Sequence, residues 1–286
     1  MRSLALALFA VLLSGCQATL LRGIGVLSGA APAEVRAVPI ADADGLALDR
    51  YEPDAAPRAC VVFFYGGSWR NGERGWYRFV GRALADRGYR VVIPDYRKAP
   101  RHGFPSFMED AALAVADARA RHCRDADRAL PLFLLGHSAG AHIAVLLATD
   151  ARHLARVGLR PQQLAGVVGL AGPYNFLPMT DPDVIAVFRG DPMLHDSQPI
   201  HFVDGDEPAL LLLHGGRDSV VKPHNSLSLA AAVQSQGGAA EVRIDPEAGH
   251  IGLLLALRRG SRPSVFDPLD AFFTQRINGS PISTGD

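Results

Sequence analysis

The chain has 286 residues, 48% of them hydrophobic and 20% charged, enough for one large domain with a substantial core or for two small ones. Its 29 basic and 29 acidic side chains cancel, and no basic stripe or nucleic-acid motif stands out, so a nucleic-acid partner is not expected. No long linker, internal repeat or low-complexity run divides the chain, which leaves the strand–helix rhythm to organise it.

The N-terminus reads as a targeting segment. Arg2 precedes an apolar run over residues 4–13, too short to span a bilayer and suited to the core of a signal peptide. Leu12-Leu13-Ser14-Gly15-Cys16 then resembles the bacterial lipobox. That resemblance implies removal of residues 1–15 and acylation of Cys16. Residues 17–33 would form a tether rich in Ala and Gly. Several acyl chains on one cysteine would anchor the protein stably to a bacterial membrane. Gln17 resembles an outer-membrane sorting signal, so the expectation is a lipoprotein of the outer membrane facing the periplasm. An ordinary signal peptide with an incidental Cys16 is the other reading.

Eight strands are predicted in chain order. Residues 35–40 and 46–51 flank Asp44-Gly45, a hairpin signal. Residues 60–64, 90–93, 132–135, 164–170, 209–213 and 240–244 follow, with helical segments predicted over 76–87, 107–121, 139–149 and 226–236. Helical character returns at 250–257 and at 268–274. Alternation of this kind predicts an α/β fold, a mostly parallel eight-stranded sheet with helices on both faces. The expected domain covers residues 34–276, and 277–286 form a flexible tail. The long connection 172–207, rich in Pro and Asp, breaks the rhythm and is expected to form a short lid.

Chemistry concentrates at the ends of these strands. The strand over 132–135 runs into Gly136-His137-Ser138-Ala139-Gly140 and then into a helix. Gly-x-Ser-x-Gly between a strand and a helix forces so sharp a turn that the serine stands clear of the sheet, ready to attack a carbonyl. Asp218 follows the strand over 209–213, where open α/β sheets place functional groups. His250 follows the strand over 240–244. Ser138, Asp218 and His250 therefore occur in the nucleophile–acid–histidine order of one triad class only. Upstream, the buried strand over 60–64 leads through Tyr65 into Gly66-Gly67-Ser68-Trp69. Such a loop can turn its N–H groups toward a developing oxyanion, with the N–H of Ala139 as partner.

Four motifs carry a family resemblance: Gly66-Gly67-Ser68-Trp69, Asp95-Tyr96-Arg97, Phe104-Pro105-Ser106-Phe107-Met108-Glu109-Asp110 and Gly136-His137-Ser138-Ala139-Gly140-Ala141-His142. They look like those of α/β-hydrolase-fold carboxylesterases, near the hormone-sensitive-lipase-like and the feruloyl-esterase and kynurenine-formamidase-like branches. The resemblance covers about residues 35–275. It implies a serine carboxylesterase acting on a small-molecule ester, short-chain or aromatic, through an acyl-enzyme. Neither a metal nor an organic cofactor is called for. An arylformamidase or amidase would use the same residues, as would an acyltransferase. A binding protein on a hydrolase scaffold is the non-enzymatic alternative. The chain departs from the family pattern at Tyr65, where relatives carry His before the glycine pair. The tyrosine hydroxyl is expected to order the loop instead, with Gly67 and Ala139 as oxyanion donors and Gly66 or Ser68 as the third.

In this fold the strands at Cys60 and after Cys123 are neighbours, with both cysteines at the same end. A Cys60–Cys123 disulfide and two buried thiols are both open readings. Among rival residues, His137 and His142 read as structural and His214 as shaping the site. His102, His195, His201 and His224 lack metal-ligand spacing. Asp245 or Glu247 could replace Asp218 as the acid, and Asp95 and Asp110 read as turn and cap residues. Trp69, Trp76 and Tyr77 fit either a pocket wall or the core. A histidine base predicts that activity falls as acid protonates the imidazole.

Overall fold

A computed structural model describes residues 19, 21–23, 34–258 and 263–279. Cys16 and the segment 1–15 lie outside the described residues, as do most of 17–33 and all of 280–286. Within the expected tether, residues 21–23 are helical and the apolar Leu21 is buried against the core, so at that point the segment is not free chain.

The strands are β1 (Glu34–Pro39), β2 (Ala47–Tyr51), β3 (Ala59–Phe64), β4 (Tyr89–Pro94), β7 (Leu132–His137), β8 (Gly166–Leu170), β9 (Leu210–Gly215) and β10 (Ala240–Asp245); β5 (Arg124–Asp125) and β6 (Arg128–Ala129) form a separate small hairpin. The eight-stranded sheet has the order β1-β2-β4-β3-β7-β8-β9-β10. From β4 to β10 every neighbouring pair is parallel, while β1 and β2 add an antiparallel edge. The central strands β3, β7 and β9 are buried at every position. Their unbroken apolar runs follow from this, because a parallel sheet covered on both faces has no solvent side to alternate toward.

The helices are α1 (Arg78–Ala85), α2 (Ser106–Asp117), α3 (Ala139–Thr149), α4 (Ala151–Ala155), α5 (Pro182–Val187), α6 (His224–Ser235), α7 (His250–Leu255) and α8 (Pro263–Ile277). They cover both faces of the sheet. The central helix α3 lies on β7 and β8 and is buried along its whole length, which is why its sequence carries no polar stripe.

Several boundaries differ from the sequence reading. The helix expected at 76–87 begins as a 3-10 turn over Arg74–Tyr77. The last helix starts earlier and runs through Pro268. Val265, Phe266, Leu269, Phe272 and Phe273 form its buried face, and that packing outweighs the local cost of the proline. The β5–β6 hairpin was too short and polar to predict. The connection 172–207 contains α5 and two 3-10 turns, His195–Ser197 and Pro199–Phe202. Side chains fasten it to the domain. Asn225 Oδ1, from α6, accepts from the N–H groups of Tyr174 and Asn175 at 2.9 and 2.8 Å, and within the connection Gln198 Oε1 accepts from Phe176 N–H at 2.8 Å. Cys60, in β3, is disulfide-bonded to Cys123, with Cα atoms 5.3 Å apart.

Candidate active site

Ser138 occupies the junction of β7 and α3, with φ 55° and ψ −122°. A side chain in this left-handed region is strained, and the surroundings enforce the strain. A Cβ at Gly136 would meet the carbonyl of Gly140, and one at Gly140 would meet that of Phe64. Strand, turn and helix approach so closely that only glycine fits on either side. The Ser138 N–H is fixed to the Leu170 carbonyl at 2.9 Å, which ties the turn to β8.

His250 begins α7, in the turn beyond β10. Its Nε2 lies 2.9 Å from Ser138 Oγ, and its Nδ1 lies 2.8 Å from Asp218 Oδ2. The three side chains, far apart in sequence, form one hydrogen-bonded line. Asp218 follows β9 and is almost wholly buried. Its Oδ1 accepts from Val220 and Val221 N–H, each at 2.9 Å. His214 Nε2 stands 3.5 Å from its Oδ2. Burial works to raise the Asp218 pKa, but hydrogen bonds from His214 and His250, the nearby His250 and the Val221 N–H outweigh it. The carboxyl is held well below the usual carboxylate range. Asp218 therefore stays ionised, an acceptor for the Nδ1–H of His250.

His214 is itself held on both nitrogens. Its Nε2 donates to the Val221 carbonyl at 2.9 Å, and its Nδ1 is 2.7 Å from Ser226 Oγ. It shapes the loop that carries Asp218, as the sequence reading expected. Ser226 was missed, because nothing in its spacing marks a residue that supports another side chain. Asp245 and Glu247, the rival acids, do other work. Asp245 Oδ1 accepts from the N–H groups of Glu247 and Ala248, at 3.0 and 3.1 Å, to shape the turn before His250. Glu247 pairs with Arg217 at 2.5 Å on the surface.

The two histidines flanking Ser138 are buried and engaged. His137 Nε2 donates to the His250 carbonyl at 3.1 Å, which ties β7 to the first residue of α7. Burial, with His250 close by, pushes its pKa down to about 3. His142 Nδ1 accepts from the Trp69 indole N–H at 3.3 Å, and its Nε2 donates to the Ser197 carbonyl at 2.7 Å. Burial pushes it down to about 4. Both rings are thus neutral, and His142 joins the glycine arm, α3 and the 172–207 connection.

Gly66, Gly67 and Ser68 run alongside Ser138. A Cβ on Gly66 would lie 3.1 Å from the Ser138 Cβ, and Gly67 has φ 133°, where a Cβ would collide with the Asn71 carbonyl. Among the described residues, no hydrogen bond engages the N–H groups of Gly66, Gly67 or Ser68. Ala139, the first residue of α3, presents an N–H that has no intrahelical partner. Tyr65, at the position where the resemblance expects His, donates its hydroxyl to Asp95 Oδ1 at 3.0 Å. Arg74 Nη1 meets the other Asp95 oxygen at 2.6 Å, so the Asp95 carboxylate anchors the arm through Tyr65 and Arg74 rather than a turn. Trp69 and Tyr77 are buried, and Trp76 is half-buried. Trp69 sits among Phe107, Phe176 and Phe188, with centroid distances of 6.3, 6.2 and 4.9 Å. Among the described residues, no group of three or more His, Cys, Asp or Glu side chains is placed to hold a metal ion.

Comparison with known proteins gives a family and a fold. The profile of the BD-FAE family matches residues 48–233. The esterase LipC of Mycobacterium tuberculosis is 29% identical over 224 residues, covering 70% of this chain and 55% of LipC. An isoprenylcysteine alpha-carbonyl methylesterase of Arabidopsis thaliana is 26% identical over 246 residues, covering 78% of this chain and 58% of that protein. The chain spans a little over half the length of the curated relatives it matches. Among solved structures, a truncated carbohydrate esterase from gut microbiota superposes with a TM-score of 0.71 at 20% identity, covering 86% of this chain and 96% of that one. At that identity the likeness speaks for the fold.

Proposed function

The chain belongs to the BD-FAE family, and from that premise we propose that it is a serine hydrolase cleaving small carboxylic esters through an acyl-enzyme. The observation that carries the proposal is the continuous line from Ser138 Oγ to His250 to Asp218 beside an arm of unbonded N–H groups. Ser138 is a weak nucleophile until its proton leaves. Neutral His250 takes that proton at Nε2 as Oγ attacks the ester carbonyl, and Asp218 holds the tautomer and stabilises the imidazolium. The carbonyl oxygen, now an oxyanion, is received by N–H groups from the arm and from Ala139, each worth roughly 3–4 kcal/mol of transition-state stabilisation. His250 then returns the proton to the leaving alkoxide. Water, deprotonated by the same imidazole, releases the acid and restores Ser138.

Short-chain or aromatic acyl groups are the substrates we favour. Relatives named as esterases support an ester substrate, and the resemblance read from the sequence motifs supports the small or aromatic acyl group. The S138A variant tests the mechanism. It should lose at least about 10⁴-fold in turnover of p-nitrophenyl esters while keeping its fold, and retained turnover would exclude Ser138. N-formyl arylamines run alongside the esters separate an esterase from an arylformamidase.

We further propose that the protein is an exported bacterial lipoprotein, acylated at Cys16 and held at the outer membrane. The sequence at residues 12–16 supports this, and the Cys60–Cys123 disulfide accords with an oxidising compartment. Metabolic labelling with a fatty acid should mark the wild type and not C16S. Equal labelling of the two would refute lipidation at that residue.

A further inference from the structure

The glycine arm must aim its N–H groups at the reacting carbonyl, yet glycine gives it no intrinsic reason to hold one orientation. Two buried tyrosines supply that reason. Tyr77, from the 3-10 turn before α1, donates its hydroxyl to the Gly66 carbonyl at 3.0 Å. Tyr96, just beyond β4, donates to the Tyr65 carbonyl at 2.9 Å. The peptide between Gly66 and Gly67 is trans, so its C=O and N–H point in opposite directions. With the carbonyl drawn back toward Tyr77, the Gly67 N–H faces away from it. A Cβ on Gly66 would lie 3.1 Å from the Ser138 Cβ, so this part of the arm passes directly beside the nucleophile. The bond from Tyr96 fixes the preceding peptide plane in the same manner.

We infer that Tyr77 and Tyr96 are positioning residues for the oxyanion hole, their hydroxyls holding successive peptides of the arm so that its N–H groups meet the oxyanion over Ser138. This rests on the serine-hydrolase reading above. The two rings also sandwich Tyr65, with centroids 5.3 and 4.7 Å from its own, so each hydroxyl is held where it donates. Burial raises the pKa of both phenols, and they remain protonated donors across the working range of a histidine base. Without these bonds either peptide could rotate and turn a carbonyl toward the oxyanion, which would replace attraction with repulsion. Neither residue touches the substrate in this scheme, so binding of the ground state should change little.

Y77F and Y96F test the inference, since phenylalanine keeps the ring stack and removes only the hydroxyl. Loss of a whole oxyanion donor costs about 10²–10³ in kcat. A loosened donor should cost less, so Y77F should lower kcat on a p-nitrophenyl ester by about 10- to 100-fold with KM within about threefold. The affinity for a boronic acid, which mimics the tetrahedral intermediate, should fall in parallel with kcat. Y96F should show the same split with a smaller loss. Wild-type kcat in both variants would overturn the inference, as would a rise in KM alone or a lowered melting temperature with kcat intact. Should Y77F fail to fold, Y96F decides. S138A assayed beside them separates the two claims: turnover in S138A removes the serine mechanism itself, whereas its loss with wild-type kcat in both Phe variants removes only the role of the tyrosines.

Discussion

Single residues at this site are governed by what their second polar atom does. His250 is placed to act as a base because Asp218 occupies its other nitrogen, and Asp218 stays ionised because His214 and two backbone N–H groups share the load. His137 and His142 lie far closer to Ser138 in sequence than His250 does, but both are spent on structure. Their burial gives a stability prediction. In the folded protein their pKa values are depressed to about 3 and about 4, against roughly 6.5 for an unfolded histidine. Between those values the unfolded chain binds more protons than the folded one, so stability rises with pH there and falls as acid is added. Each ring should cost about 2 kcal/mol of stability at pH 5 relative to pH 7. Denaturant unfolding from pH 7 to pH 5 measures this. H142Q, whose amide supplies an acceptor for Trp69 and a donor for Ser197 without titrating, should flatten the slope. An unchanged slope would place the acid sensitivity elsewhere. At this scale the sequence marked Ser138, Asp218 and His250 by motif, order and strand ends. It could not mark Ser226 or Tyr96 as supporting residues, because a hydroxyl bonded to a distant carbonyl leaves no periodic or spacing signal.

At the scale of elements, legibility followed burial. The strands β3, β7 and β9 are continuous apolar runs that no other element explains, and they lie where they were predicted. The two-residue strands β5 and β6 and the six-residue α5 are held by local turns and tertiary bonds rather than by an apolar pattern, and were not foreseen. The disulfide works at this scale too. It joins β3, which leads to the glycine arm, to the segment just before β7, which leads to Ser138, closing a loop with a sequence separation of 63. In the chain-entropy model such a loop stabilises by about 4 kcal/mol. The double variant C60A/C123A should therefore melt on the order of 10 °C lower than the wild type in a thermal scan. A melting temperature within about 2 °C of the wild type would show that β3 and β7 are held by their ladder and side-chain packing alone.

For the whole molecule, the sheet order explains why three positions so far apart in sequence meet. β7, β9 and β10 are parallel members of one sheet, so the segments that follow them emerge on the same rim. Ser138 follows β7, Asp218 follows β9, and His250 lies in the turn beyond β10. The β3 arm opens on that rim as well. The connection 172–207 reaches the site through the bond from His142 to Ser197 and through the ring contacts of Phe176 and Phe188 with Trp69. The sequence located this connection by its length and its Pro and Asp content. Its path depends on side-chain bonds from Asn225, Gln198 and His142, which no local pattern encodes. The central claim is that the imidazole of His250 activates Ser138 Oγ as the one nucleophile on this rim. Intact-mass and peptide analysis after reaction with a fluorophosphonate tests it most directly. The account predicts one equivalent of label, on Ser138, with ester turnover lost in proportion and labelling slowed at least about 10³-fold in H250A. Label on another residue, or undiminished turnover in fully labelled protein, would contradict it.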